Sequence, residues 1–503
     1  MGSVKEQSVV GFKWNAIGQV SAKAVNFALG LMIARMLMPE DYGVIGMLAI
    51  FVAIAQAFVE SGFGNALIRK PDRTETDCAT AFYFNIVVAL AVYGLLYVAA
   101  PWIADFYGIP MLTDVVRVLS LPIVISALGI VPRALLSVAV DFKSQAYASV
   151  TAAMVSGLTG LYMAYSGYGV WALVGQQVVY AVVSVGGLWI GSTGVRRCEG
   201  AGVREASEVR RWVFSWSSFW ALFGYGSKLL ASRLLHVVYM NASNLVIGKF
   251  YMPADLGYYD RGYQMASFPS LKLGDVLHTV TFPILAKLQV DDARLVRVYH
   301  RYVGVTSMVV FFVMTLLAAV AEPLVELLLT EKWAGTVPFL RVLCLALMFD
   351  SICRLNNNML LVKGWSGLFF RLEVIKKVVI VPVFLVAVQL GVMAICWVAV
   401  VHTAVDIACS TYYLQKRLFS QRCGGTEARG CENTQWRGCV GTVVRYFVLS
   451  VVACVPAYVI CSLDLSSWIA LPVAVVTASG IYWMFLHKDE NMRECVGMIK
   501  GTW

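Results

Sequence analysis

Basic and amide side chains recur at helical spacing inside long apolar stretches of this sequence. In the first stretch, Gln19, Lys23, Asn26 and Gly30 follow one another at intervals of four, three and four residues. That spacing places all four on one face of a helix. A lysine at mid-membrane costs about 2.5–3.5 kcal/mol on insertion scales, so it faces an aqueous cavity or a partner. Because no acid lies close to Lys23 in the sequence, we favour a cationic cavity that binds an anion such as a phosphate.

A second polar face runs along the eighth apolar stretch, where the residues at helical spacing are Arg261, Gln264, Phe268, Lys272 and Asp275. Lys272 and Asp275 lie three residues apart, so they could pair within the helix. For these two residues, a salt bridge that holds the bundle is as good an interpretation as a binding site. We nevertheless count Arg261 and Lys272 among the candidate binding residues.

The seventh and eleventh apolar stretches add further cations. Arg233 has no acid nearby in sequence. An internal repeat relates the two halves of the chain at an offset of 214 residues, and in that repeat Arg233 corresponds to Gln19. Arg371 and Lys376 enter the eleventh stretch together and are candidates for secondary binding groups. Glu373 lies in the same stretch and could instead form a structural i, i+4 pair with Lys377.

Two acids are candidates for coupling an ion, H⁺ or Na⁺, to whatever the cavity binds. Glu60 is the lone acid of the second apolar stretch, and Asp275 closes the polar face of the eighth. No G-x-x-x-x-G-K-[ST] motif occurs, so ATP is not the direct driver in this chain. We expect any driving force to be an ion gradient, the membrane potential or a substrate gradient. No other cofactor is expected.

The elements that position these residues are membrane-spanning helices. The 503 residues are 59% hydrophobic and only 14% charged, with a mean hydropathy of +0.73, whereas soluble proteins have about 25% charged residues. Apolar runs long enough to cross a bilayer predict an all-α polytopic membrane protein with about fourteen spans. They cover roughly 12–38, 43–66, 80–104, 115–139, 145–165, 170–192, 217–246, 257–285, 302–328, 337–362, 366–388, 392–414, 442–462 and 466–487.

The net charge of +10 has an explanation in the membrane rather than in nucleic acid. If the N-terminus is cytoplasmic, Lys and Arg concentrate in the loops on the inner side, while the outer loops hold only Lys249 and Lys332. This bias is the one that the positive-inside rule requires. We therefore predict that both termini are cytoplasmic.

An internal repeat organises the chain. Ile33–Gly43 and Ile247–Gly257 both fit I-x-[RK]-x-x-M-P-x-D-x-G, and Arg117–Leu121 recurs in the same order as Arg341–Leu345. Proline stops the preceding helix, and the Asp two residues later can cap the next one. Each copy of the first motif therefore predicts a helix–turn–helix corner.

The repeat predicts two parallel six-helix lobes, because the second copy begins after an even number of crossings. We expect an N-lobe at 1–195, a cytoplasmic linker at 196–213 and a C-lobe at 214–417. A cytoplasmic loop at 418–441 and a C-terminal helix pair with a cytoplasmic tail at 442–503 would follow. The loop carries Cys423, Cys431 and Cys439, whose spacing without a nearby His makes a poor zinc site, so no metal is predicted.

Several segments resemble the start and middle of Wzx-type polysaccharide flippases. The opening Gly11–Asn15, the corner Ile33–Gly43 and Gly62–Ile68 are similar to that family, particularly to its colanic-acid and teichuronic-acid exporter branch. Leu256–Gln264 and Phe282–Lys287 extend the similarity into the second half. The family belongs to the MOP superfamily (multidrug/oligosaccharidyl-lipid/polysaccharide exporters), which includes MATE antiporters and the lipid II flippase. The resemblance covers roughly residues 8–420.

The resemblance implies a specific function, which composition alone does not predict. It implies alternating access that moves undecaprenyl-pyrophosphate-linked oligosaccharide from the cytoplasmic to the periplasmic leaflet of the inner membrane, for surface polysaccharide (lipopolysaccharide or exopolysaccharide) biosynthesis. In that superfamily, basic residues of spans 1, 2 and 8 serve the pyrophosphate. Lys23 and Arg261 match in kind, but span 2 offers only Glu60.

The expected partners are the lipid-linked substrate, the membrane and other polysaccharide assembly proteins. We expect the protein to be a monomer and not an enzyme. Three alternatives remain open at this point. One is the lipid II flippase itself, although the corner sequences favour the polysaccharide branch. A cation-coupled multidrug antiporter of the same fold would need acidic and aromatic cavity residues. A membrane glycosyltransferase or polymerase would need large outer loops with carboxylates, and the outer loops here are short.

Overall fold

The structure, a computed structural model, describes residues 4–60, 63–69, 74–197, 213–287, 291–420, 428–463 and 466–487, together with Asp489 and Met492. Within these ranges, the side chains of some helical residues, including Gln19, Lys228, Lys272 and Asp275, lie outside the description. Every regular element in the described ranges is helical, which confirms the all-α prediction. The chain forms two compact units, Met1–Gly257 and Tyr258–Trp503. The predicted lobe, linker and tail boundaries stay predictions.

The first unit is built from ten helices and the beginning of an eleventh. Helix α1 packs along α8, and α8 packs along α9, through close approaches at glycine. A Cβ on Gly157 would lie 2.2 Å from the Leu29 side chain. The ten helices are α1 (Val4–Met36), α2 (Pro39–Val59), α3 (Phe63–Arg69), α4 (Glu75–Tyr107), α5 (Leu112–Leu119), α6 (Leu121–Leu128), α7 (Ile130–Val138), α8 (Phe142–Tyr165), α9 (Val170–Arg197) and α10 (Trp216–Phe250).

The second unit contains most of α11 and the remaining helices. They are α11 (Pro253–Lys287), α12 (Asp292–Ala319), α13 (Ala321–Leu329), α14 (Thr336–Met348), α15 (Asp350–Val362), α16 (Ser366–Leu390), α17 (Val392–Ser420), α18 (Ala428–Ser462) and α19 (Ser467–Leu486), with a single 3₁₀ turn at Glu331–Trp333. The C-terminal pair α18–α19 packs tightly because Ala457, Ala474 and Ala478 are fully buried. The Tyr482 hydroxyl donates to the Met308 carbonyl at 2.6 Å and ties α19 to α12.

Nine helical stretches in the described ranges are long and apolar enough to cross a membrane. The other five predicted spans coincide with α1, α8, α10, α11 and α16, which are long helices but more polar. Four of these five carry the polar faces singled out in the sequence, which explains their lower apolarity. The multi-pass membrane class is supported, whereas the number fourteen stays a prediction.

Both copies of the repeated corner form the predicted helix–turn–helix geometry. Helix α1 ends at Met36 and α2 begins at Pro39, while α10 ends at Phe250 and α11 begins at Pro253. In the first copy the Asp41 carboxylate accepts the backbone N–H of Met38 at 3.0 Å, so it satisfies a donor at the start of α2.

The two corners pack directly on each other, and the contact is reciprocal. A Cβ on Gly43 would lie 1.7 Å from the Pro253 carbonyl oxygen, and one on Gly257 would lie 2.0 Å from that of Pro39. Only glycine permits this backbone-to-backbone approach. The glycine of the repeated motif is therefore required by the contact between the two copies.

Two predicted spans are broken rather than continuous. The predicted span at 115–139 consists of α5, α6 and α7, and that at 337–362 consists of α14 and α15. Pro122 lies at the start of α6 and Pro132 in the first turn of α7, where a missing N–H is tolerated. An apolar run reports length but not these interruptions.

Candidate functional site

In the first unit, the predicted binding cation Arg233 pairs with the predicted coupling acid Glu60. Glu60 follows the last residue of α2, and Arg233 lies in the middle of α10, which packs along α2. Their side chains form an ion pair and are 43% and 47% exposed, respectively. Two residues to which the sequence assigned separate roles are therefore in direct contact. The sequence could not show this contact, because 173 residues separate them.

Two residues of the predicted polar face of α1 are accessible beside the surface that packs on α8. Ala22 and Ile33 are buried, whereas Lys23 is exposed and Asn26 is partly exposed. The predicted polar face is therefore accessible at these two positions. Gln19, the first residue of that face, has a side chain outside the described part of the chain.

Arg261 lies in a more enclosed setting than the sequence suggested. Its side chain is 8% exposed and its guanidinium lies 5.7 Å from the centre of the buried Trp333 ring, a cation–π arrangement. It also donates to Gln264 Oε1 at 3.2 Å. Gln264 is the next residue of the predicted polar face, so the predicted spacing brings these two together. Of the two remaining residues of that face, Lys272 and Asp275, only the backbone is described, as part of α11.

In the second unit, Lys376 lies at the centre of a buried ion cluster. Its side chain is 2% exposed, and Nζ donates to the carboxylates of Glu373, one turn earlier on α16, and of Asp406 on α17. The Nζ–Asp406 Oδ1 distance is 2.9 Å. The sequence pointed to Glu373 with Lys377, but the ion pair described here joins Glu373 to Lys376. Arg371, the other predicted secondary residue, is exposed.

Asp406 was missed by the sequence reasoning, although a signal for it was present. It is an acid in the middle of the predicted span at 392–414, and an ionisable residue at that depth suggests function by default. Its partner Lys376 precedes it by 30 residues on a different helix. Helical spacing relates only residues of one helix, so it does not reveal this pair.

A buried network of neutral polar groups lies one turn beyond Asp406. Asn356 on α15 accepts from the Tyr299 hydroxyl, and it donates to Ser410 Oγ at 2.9 Å and Thr411 Oγ1 at 3.1 Å. The Ser410 hydroxyl in turn donates to the Asp406 carbonyl at 2.6 Å. This network joins α12, α15 and α17 and fixes the rotation of α17 that points Asp406 at Lys376.

Among the described residues, no group of three or more His, Cys, Asp and Glu side chains is placed to hold a metal ion. Cys423 lies outside the described residues, as do the side chains of Cys431 and Cys439. The described site residues are cations, which can bind anions, and carboxylates, which can exchange protons.

The sequence of this chain matches a known protein family. A family model described as "polysaccharide biosynthesis protein" matches residues 32–338, which is more than half of the chain. The chain belongs to this family. The predicted resemblance to polysaccharide flippases is thereby confirmed, and the matched range includes both copies of the corner, Glu60, Arg233 and Arg261. Lys23 and the Lys376 cluster lie outside it.

Curated relatives support the same assignment for this polysaccharide biosynthesis protein. It is 25% identical over 374 residues to the teichuronic acid biosynthesis protein TuaB of Bacillus subtilis, with 74% of each chain covered. It is 24% identical over 391 residues to the lipopolysaccharide biosynthesis protein WzxC of Escherichia coli, with 77% of each covered. The succinoglycan biosynthesis transport protein ExoT of Rhizobium meliloti is 25% identical over 333 residues, 66% of this chain and 65% of ExoT.

Solved structures identify the fold of this family member. The lipid II flippase MurJ in an inward closed conformation matches with a TM-score of 0.69 at 12% identity, covering 93% of this chain and 98% of MurJ. An inward-facing MATE multidrug resistance transporter of the MOP superfamily matches with a TM-score of 0.59 at 13% identity, covering 83% and 100%. These likenesses confirm the predicted fold class.

Proposed function

We propose that this protein moves undecaprenyl-pyrophosphate-linked oligosaccharide units from the cytoplasmic to the periplasmic leaflet for the biosynthesis of a surface polysaccharide. The observation that carries the proposal is the family match over residues 32–338. Relatives named for teichuronic acid, lipopolysaccharide and succinoglycan biosynthesis, one of them named as a transport protein, support it. The fold shared with a lipid II flippase supports the lipid-linked form of the substrate.

Head-group recognition rests on exposed cations in this proposal. Lys23 on α1 and Arg233 on α10 present an ammonium and a guanidinium that suit the phosphate oxygens, Arg by bidentate hydrogen bonds. Asn26, and Gln19 from the same predicted face, add amide donors for sugar hydroxyls. Arg261 and Lys272 belong to the proposed set through their spacing on α11.

The ion pair with Glu60 is weak enough for a pyrophosphate to displace Glu60 from Arg233. Both side chains are more than two-fifths exposed, and ion pairs of that kind contribute only about 0–1 kcal/mol. A pyrophosphate carries more negative charge than one carboxylate, so it displaces Glu60 from the guanidinium. Glu60 thereby keeps the cation paired when no substrate is present.

The remaining features of the proposal concern the setting of the protein. It is a monomer in the inner membrane with both termini cytoplasmic, it works by alternating access, and it catalyses no covalent chemistry. Enzymes that assemble the lipid-linked unit act before it, and polysaccharide assembly proteins act after it. The long prenyl tail stays in the lipid while the head group crosses.

Complementation of a strain that lacks the gene tests this function. Wild-type protein restores surface polysaccharide, while Lys23→Ala, Arg233→Ala and Arg261→Ala reduce it at least tenfold with protein still in the membrane. Arg294→Ala, which removes an exposed cation at the start of α12, serves as the control and restores it fully.

The accumulated intermediate separates transport from synthesis. In the deletion strain, lipid-linked repeat units build up on the cytoplasmic leaflet, where an added periplasmic glycosidase cannot reach them. Normal polysaccharide in the deletion strain, or a changed drug resistance as its only phenotype, contradicts the proposal. Normal polysaccharide in all three variants contradicts the site assignment alone.

A further inference from the structure

The buried cluster on α16 and α17 has an unbalanced charge. Lys376 contributes one positive charge, and Glu373 and Asp406 contribute two negative charges when both are ionised. The Lys376 and Asp406 side chains are 2% and 13% exposed, whereas Glu373 is 32% exposed. Water therefore screens the charge at Asp406 poorly and reaches the cluster at Glu373. An uncompensated charge in such a place is expensive, and it is relieved when the cluster binds one positive charge.

The cluster lies deep in the helices that carry it. Lys376 is ten residues beyond the first residue of α16, about 15 Å along the helix at about 1.5 Å per residue. Asp406 is fourteen residues beyond the start of α17, about 21 Å along it. Both positions fall well inside predicted spans, where ionisable groups are rare and mark ion or substrate pathways.

The charged pair near the cluster on α15 is balanced in itself. On α15, Arg354 and Asp350 form their own pair, with Nε and Oδ2 2.7 Å apart, and cancel each other. Two further titratable groups lie within electrostatic range of the cluster, Cys353 on α15 and His402 on α17. Tyr263 on α11 is near the Asp350–Arg354 pair, and Arg371 and Lys377 lie on the exposed face of α16.

We propose that the triad Glu373–Lys376–Asp406 is a proton-binding site, which holds one exchangeable proton on its carboxylates and couples the transport cycle to the proton gradient. The coupling rests on the proposed function, whereas the proton site does not. In the binding step, one O–H bond forms on a triad carboxylate, the proton comes from hydronium in bulk water, and the excess negative charge disappears. Release returns the proton to water, and no group is oxidised or reduced.

The geometry selects a proton over a metal cation. A sodium ion needs several oxygen ligands that converge on one point, but here the Lys376 ammonium already occupies the space between the two carboxylates. A proton needs only one free carboxylate lone pair. The network around Asn356 fixes α17, so the carboxylate of Asp406 and the ammonium stay aligned while the charge changes.

Infrared spectroscopy of the full-length protein in lipid tests the proton site without any transport assay. A protonated carboxyl in an apolar setting gives a C=O stretching band that disappears when it ionises. We expect one such band in the wild type, lost with rising pH and absent in Asp406→Asn or Glu373→Gln. Glu322→Gln, at an exposed carboxylate paired with Arg341, is the matched control and keeps the band.

Two further variants keep the test decisive if Asp406→Asn fails to fold. Asp406→Glu retains a carboxyl and keeps a titrating band. Lys376→Met removes the positive charge, so the band persists to higher pH. No titrating band in the folded wild type overturns the proposal, as does a band that added sodium chloride removes at fixed pH when choline chloride does not.

The coupling has its own measurement. In cells, Asp406→Asn reduces surface polysaccharide at least tenfold, and an imposed proton gradient no longer speeds delivery of lipid-linked oligosaccharide in proteoliposomes. If the band titrates but the wild type moves no such substrate, the proposed function fails while the proton site stands. If the wild type transports and Asp406→Asn still responds to the gradient, the coupling is overturned.

Discussion

The two units of this protein each contain an ion cluster, and the clusters differ in exposure and in charge balance. Glu60 and Arg233 in the first unit form a balanced pair that is more than two-fifths exposed. Glu373, Lys376 and Asp406 in the second unit form an unbalanced triad around a lysine that is 2% exposed. The exposed Arg233 can exchange its carboxylate for a phosphate, whereas Lys376 is shielded and held between two carboxylates. Exposure, rather than residue type, therefore distinguishes the pair proposed for substrate binding from the triad proposed for proton binding.

The largest expected effect comes from removing Lys376, and removing Arg233 is the matched comparison. Lys376→Met leaves the largely buried Asp406 and the partly exposed Glu373 without their partner, so the free energy of unfolding should fall by about 3–5 kcal/mol. Arg233→Met breaks an exposed pair and should lower it by no more than about 1 kcal/mol. Unfolding of purified protein in mixed micelles measures both, with Arg371→Met, an exposed position on α16, as control.

The pH dependence distinguishes charge from packing as the cause. In Lys376→Met, acid conditions protonate the stranded carboxylates and relieve their repulsion, so the loss of stability should shrink as the pH falls. For Arg233→Met, the smaller loss should change little. Equal losses in the two variants, or a Lys376→Met loss that is independent of pH, would abolish the distinction between the clusters.

An intermediate effect is expected from the neutral network that supports the triad. Asn356→Ala removes the partner of Tyr299, Ser410 and Thr411 inside the bundle and should lower the free energy of unfolding by about 1–3 kcal/mol. Asn357→Ala, at the adjacent and less buried asparagine, is the matched control and should cost less than half as much. Indistinguishable midpoints for the two variants would show that the network does not support the triad.

The smallest effect is the coupling within the exposed pair itself. A double-mutant cycle with Glu60→Gln and Arg233→Gln should give an interaction energy of about 0.2–1 kcal/mol that weakens as salt is added. The same cycle with Glu373→Gln and Lys376→Gln should give a larger value that responds little to salt. A salt-sensitive triad would mean that water reaches Lys376, and it would remove the argument for an enclosed proton site.

The features that depend on residues close together in the chain were predicted well. Proline and aspartate in the repeated corner fixed where α1 and α10 end, and apolar runs gave the class of fold. The breaks after Ser120 and Gly129 were not predicted, because an apolar run looks the same whether or not its helix is interrupted.

Ion pairs between side chains on different helices could not be predicted from the sequence. Glu60 was recognised as an isolated acid and Arg233 as an isolated base, but their pairing depends on how α2 and α10 pack. The sequence predicted Lys376 as a candidate but not Asp406, because a spacing of three or four residues relates only charges on one helix. Spacing along a helix identifies which face a residue occupies, and packing decides what that face meets.

The reciprocal contact between the corners has a consequence for the ancestry of the chain. Gly43 approaches Pro253 while Gly257 approaches Pro39, so equivalent residues of two repeats exchange places across the contact. A self-complementary contact of this kind is the signature of a two-fold symmetric homodimer. The half-length ancestor would then have assembled as a pair through this same corner, and gene fusion would have turned an association between two molecules into a permanent feature of one.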